Sequence, residues 1–138
     1  MWVKKMGDTL VVRVDRGEEI VAKLLQVATD YDVQAATVIG IGAADHAIFG
    51  AYQADKKQYA SVERRGNLEI TGLTGDLSRK DGAPHAHLHI TMADESGNAF
   101  GGHLNEATIG GTSEIFVRVL DGALTRRYDD VTGLQIIS

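Results

Sequence analysis

EEIVAKLLQVATDYDV (residues 18–33) is the one stretch of this chain with a helical period, and its reading decides the fold class. Ile20, Leu24, Val27 and Tyr31 recur at the spacing of a single helix face, widened by Val21, Leu25 and Ala28. Glu19, Lys23, Gln26 and Asp30 fall on the opposite, solvent-facing side. Asp15 and Glu18, just ahead, have capping-box spacing. Such a helix needs an apolar surface to lie against, and the rest of the chain supplies strands.

Working outward, DTLVVRVDRG (8–17) reads as a strand closed by a turn at Gly17. AATVIGIGAADHAIFGAYQ (35–53) reads as two strands or one bent one. QYASVER (58–64) and GNLEITGLTGDLS (66–78) read as a pair turning near Gly66. APHAHLHITMAD (83–94) runs to a turn at Glu95–Gly97, followed by NAFGGHL (98–104), a strong strand TSEIFVRVL (112–120) and a short one in LTRRYDD (124–130). One early helix among antiparallel strands implies an α+β fold: a single domain over residues 1–138, with the helix packed on a mostly antiparallel, curved and partly barrel-like sheet.

The chain has 138 residues, which suits one core. No apolar run approaches the roughly 20 residues a bilayer requires, and the start MWVKKMGDTL has no apolar stretch behind its lysines. These features, with zero cysteines, lead to a cytoplasmic expectation and remove disulfide, thiolate-metal and thiol-nucleophile chemistry. The net charge of −5 argues against nucleic acid as the main ligand, because such binding neutralises phosphates. The densest basic pairs, Arg64–Arg65, Arg79–Lys80 and Arg126–Arg127, read as solvated loops and strand ends.

Chemistry concentrates in HAHLH (85–89). On a strand, alternate side chains share a face about 6.5–7 Å apart, so His85, His87 and His89 project together while Ala86, Leu88 and Ile90 pack the other way. Two adjacent imidazoles reach one ion easily, but three along a straight strand would strain, so another ligand must come from elsewhere. His103 in GGHLNE qualifies if the turn at Glu95–Gly97 returns the chain antiparallel, and Gly101 and Gly102 leave room for an ion or ligand there. Imidazole contacts in an oligomer interface, or a polar pocket without metal, are the competing readings. Glu69 and Glu106 are the weaker candidates for acid–base work, each also readable as a solvated surface position. His46 beside Asp45 resembles part of a triad, but adjacent strand residues point to opposite faces. GIGAAD (40–45) lacks the third glycine of a dinucleotide fingerprint.

The order of segments, with VIGIGAADHAIFGAY, GNLEITGLTGDLS, PHAHLHITMADESGNAFGGHL and LTRRYDDVTGL, resembles the PPC domain conserved between plants and prokaryotes. The resemblance covers nearly the whole chain. It implies a compact α+β domain that assembles as a homotrimer. In plants the domain accompanies AT-hook segments. This chain has no Arg-Gly-Arg-Pro core and departs from the plant pattern there, which argues against a DNA-binding role. HLHI and GGHL also resemble pieces of acetolactate decarboxylase, a zinc enzyme whose histidines ligate the metal. That resemblance implies His87, His89 and His103 as ligands of a divalent metal, zinc foremost, with His85, Gly101 and Gly102 as accessory pocket residues. The implied function is a metal-bearing homotrimer with a small-molecule pocket. The alternative is a non-catalytic protein-interaction or DNA-associated module.

Overall fold

The computed structural model describes residues 1–138. The chain order is β1 (Trp2–Met6), β2 (Thr9–Asp15), α1 (Ile20–Asp30), β3 (Ala36–Gln53), β4 (Gln58–Lys80), β5 (Ala83–Ala93), β6 (Ala99–Val119), β7 (Arg126–Asp129) and β8 (Leu134–Ile137). The first six strands form an antiparallel sheet ordered β1-β2-β6-β3-β4-β5, and β5 pairs a second time with β6. That second pairing curves the sheet, because β5 is hydrogen-bonded to β4 on one side and to β6 on the other. β7 and β8 form a separate hairpin.

Helix α1 packs on β5 and β6 and buries Ile20, Leu24, Val27 and Ala28, as its spacing requires. Three helix expectations change. Tyr31 ends the helix and is exposed. Glu19 is not a free solvent-face residue but the N-cap: its carboxylate accepts from the Val21 and Ala22 amides and also from the Ala107 amide of β6. One side chain thereby satisfies the helix start and ties it to the sheet. The capping box is half formed: Glu18 accepts from the Asp15 amide, while the Asp15 carboxylate binds the Met1 ammonium group and Arg13.

The strands are longer than the local signals suggest. β3 is one bent strand, with register shifts at Gly40/Gly42 and Ala44/His46. β4 runs unbroken through Gly66, where a turn was expected. Gly66, at φ 121°, falls at the register shift between the His46↔Arg65 and Ala44↔Leu68 pairs, and the β3 ladder resumes beyond it, so this glycine makes an irregularity within a continuing strand instead of ending it. The actual turn lies between Gln53 and Gln58, with Lys57 at φ 49°. NAFGGHL and TSEIFVRVL likewise join into the single strand β6. Two short strands, β1 and β8, carry no sequence signal strong enough to predict them.

Candidate metal centre

Strand alternation places the histidines as expected. Leu88 and Ile90 are 1% and 2% exposed in the core, and the imidazoles project from the other face of β5. Asp94 accepts from the Ser96 and Asn98 amides and shapes the tight β5–β6 turn, with Gly97 at φ 79°. That turn brings β6 back so that His103 lies directly opposite His89. Ring centroids are 5.4 Å apart for His87–His89, 5.3 Å for His87–His103 and 5.7 Å for His89–His103. One ligand nitrogen from each of the three residues lies within 4.8 Å of the others. His85 stands outside this cluster but lines the same cavity of about 530 Å³ with Tyr59, His87, His103 and Arg126.

The surroundings favour the neutral form of His85, His87 and His103. Burial, then the imidazoles of His87, His89 and His85, push His103 down to about 4. Burial, then Arg126, lower both His85 and His87. The Nδ1 atoms of His85 and His103 are buried without a hydrogen-bond partner. Neutral imidazoles are what a metal requires, and a partnerless buried nitrogen within a cluster of three matches the donor set zinc takes.

A pH dependence follows for metal-free protein. A histidine whose folded pKa is depressed favours folding when it is neutral. The unfolded ring takes up its proton near 6.5, whereas folded His103 does so only near 4. Stability is therefore full above about 6.5, falls as the pH drops through that window, and levels off below about 4. Urea midpoints measured at pH 7.5, 6, 5 and 4 should decline in this order. His103→Gln should flatten the slope; an unchanged slope would mean that another group causes it.

The other predicted residues lie apart. Glu69 borders a different cavity, with Ile41, Thr112 and Glu114. Glu106 lies 3.6 Å from His46 Nδ1, while the other ring nitrogen of His46 is 2.8 Å from Glu63. Neither carboxylate reaches the three histidines. Gly101 and Gly102 have a different reason from the one expected: a Cβ would meet the Ile90 carbonyl oxygen at 2.0 Å and that of Gly50 at 2.4 Å, respectively. Close backbone approach excludes side chains there.

Sequence reasoning missed the polar partner of the cluster. Arg126, read as part of a solvated pair, has a side chain only 4% exposed. It donates to both Asp76 oxygens at 2.8 Å, to the Ser78 hydroxyl and to the Gln135 carbonyl. Asp76 also lies 3.9 Å from His87 Nδ1. Arg79, from another pair read as solvated, is mostly buried and bridges to Asp32 at 2.8 Å. Tyr59 stacks on His103 with centroids 4.6 Å apart. Asp76 and Arg126 are fifty residues apart in sequence, so no local pattern marks the pair.

No protein of curated function matches the sequence. A crystal structure of a "putative DNA binding protein" from Bacteroides thetaiotaomicron is similar at TM-score 0.96 and 28% identity, covering 99% of this chain and 96% of that one. A metal-containing protein from Archaeoglobus fulgidus is similar at TM-score 0.90 and 33% identity, covering 97% and 95%. Alpha-acetolactate decarboxylase from Bacillus subtilis shares the fold at TM-score 0.57 and 13% identity; the match covers 88% of this chain and 57% of the enzyme. A family model matches residues 1–121, and the chain belongs to the Plants and Prokaryotes Conserved (PCC) domain family.

Proposed function

We propose that this protein binds a divalent metal, zinc foremost, through His87, His89 and His103, as a cytoplasmic homotrimer with a small-molecule pocket beside the metal. The observation that carries this reading is the convergence of the three imidazoles, with ligand atoms all within 4.8 Å of one another. The metal-containing relative from Archaeoglobus fulgidus supports it. His85, Tyr59 and Arg126 shape the pocket around the cluster. When bound, such an ion polarises a carbonyl or lowers the pKa of a coordinated water. The protein's own contribution is a set of imidazole donors, an aromatic wall at Tyr59 and the Asp76 carboxylate behind His87. Within one chain, Glu69 and Glu106 lie apart from this cluster.

Protein purified without a histidine tag and dialysed against zinc should carry close to one equivalent per chain. His87→Ala and His103→Ala should each reduce that to below about a tenth while leaving the trimer mass unchanged in light scattering. A tenth of an equivalent or less in the unmodified protein sinks the metal reading.

The second reading, a DNA-associated module, is favoured by the description of the Bacteroides relative. The net charge of −5 opposes it. Duplex DNA titrated at several salt concentrations discriminates, since phosphate neutralisation gives a steep salt slope.

A further inference from the structure

We propose that the β7–β8 hairpin selects the ligand of the histidine pocket, presenting an apolar wall that favours a small carboxylate with an aliphatic tail. This inference rests on the metal-site reading above. The hairpin is a sheet of its own and lies beyond residue 121, where the family match ends. Even so, its residues Leu134 and Ile136 line the same cavity as His85, His87 and His103.

The wall is held at both ends. At its root, Arg126 binds Asp76 and Ser78 of β4, and the Ser138 amide donates to the Thr125 carbonyl. At its tip, the Tyr52 hydroxyl donates to the Thr132 carbonyl and the Lys57 ammonium group to the Asp130 carbonyl. Gly133 sits at φ 76°, and a Cβ there would meet the Tyr52 hydroxyl at 2.8 Å. A wall anchored in this way is preorganised, so a ligand need not order it on binding.

Charge and surface then define the occupant. An imidazole ligates a metal as a neutral donor, so a divalent ion held by three of them keeps its positive charge. Arg126 and Asp76 offset each other as an ion pair, with Nη2 of Arg126 donating to both carboxylate oxygens. The group facing the histidines is therefore anionic, and carboxylate oxygens suit it. The end facing Leu134 and Ile136 meets aliphatic carbon and gains from each methylene it buries. The cavity of about 530 Å³ is the size of a small-molecule site.

The test uses zinc-loaded protein of measured zinc content, titrated calorimetrically with acetate, 3-methylbutanoate and 4-aminobutanoate. The expected result is about tenfold tighter binding of 3-methylbutanoate than of acetate, from the added buried carbons. 4-Aminobutanoate, with a charged tail, should bind no better than acetate. In Leu134→Asn/Ile136→Asn protein with unchanged zinc content, the aliphatic preference should disappear. Equal affinities for the three carboxylates, or a preference that survives the double variant, overturn the proposal. If the double variant does not fold, the comparison in unmodified protein decides alone. Failure of the metal reading is separately visible, as absent zinc before any carboxylate is added.

Discussion

Arg126→Met should lower the unfolding free energy by about 3 kcal/mol, because it strands a carboxylate in a largely buried position. Asp76 is 19% exposed at its side chain and takes two of its hydrogen bonds from the guanidinium. The desolvation already incurred by the carboxylate then has no compensating charge, and the Ser78 hydroxyl and Gln135 carbonyl lose their donors as well. Denaturant midpoints would show the loss. Adding Asp76→Asn to Arg126→Met should recover part of it, since the stranded charge is then removed, and the two changes should be strongly non-additive. A shift below about 0.5 kcal/mol for Arg126→Met would show that the pair behaves as a solvated surface bridge.

Gly101→Ala should cost roughly 3 kcal/mol through steric conflict with backbone. The added Cβ would sit 2.0 Å from the Ile90 carbonyl oxygen and 2.9 Å from the Thr91 Cα, neither of which can rotate away. Relief requires β5 and β6 to separate, and this is the ladder that sets His89 opposite His103. Zinc uptake should therefore fall together with thermal stability, although no ligand has been touched. Gly72→Ala is the control. A Cβ there meets nothing within 4 Å, so its expected change is within about 0.5 kcal/mol. Equal behaviour of the two variants would refute the close-approach explanation.

The contrast between these glycines shows how far the sequence could be read. Gly101 and Gly102 drew notice because they precede His103, but their neighbours across the sheet set the constraint. Gly66 drew notice as a turn and proved to be mid-strand, at a register shift between the His46↔Arg65 and Ala44↔Leu68 pairs, with the β3 ladder resuming beyond it. Glycine marks only where the backbone is free to go; the pairing decides what it does there.

The helix, the two faces of β5 and the β5–β6 turn were legible in the sequence, because periodicity and turn chemistry are properties of neighbouring residues. For the same reason His85, His87, His89 and His103 stood out as a group, and the resemblance to acetolactate decarboxylase pointed to His87, His89 and His103 among them. Whether they converge depends on register, and only the tertiary structure set His103 beside His89. It also buried Arg126 on Asp76, moved Glu69 and Glu106 away from the histidines, and folded the C-terminal hairpin into the pocket wall. Each of these depends on which distant strands meet, a choice made by burial and hydrogen bonding of the whole chain and not by any local stretch of it.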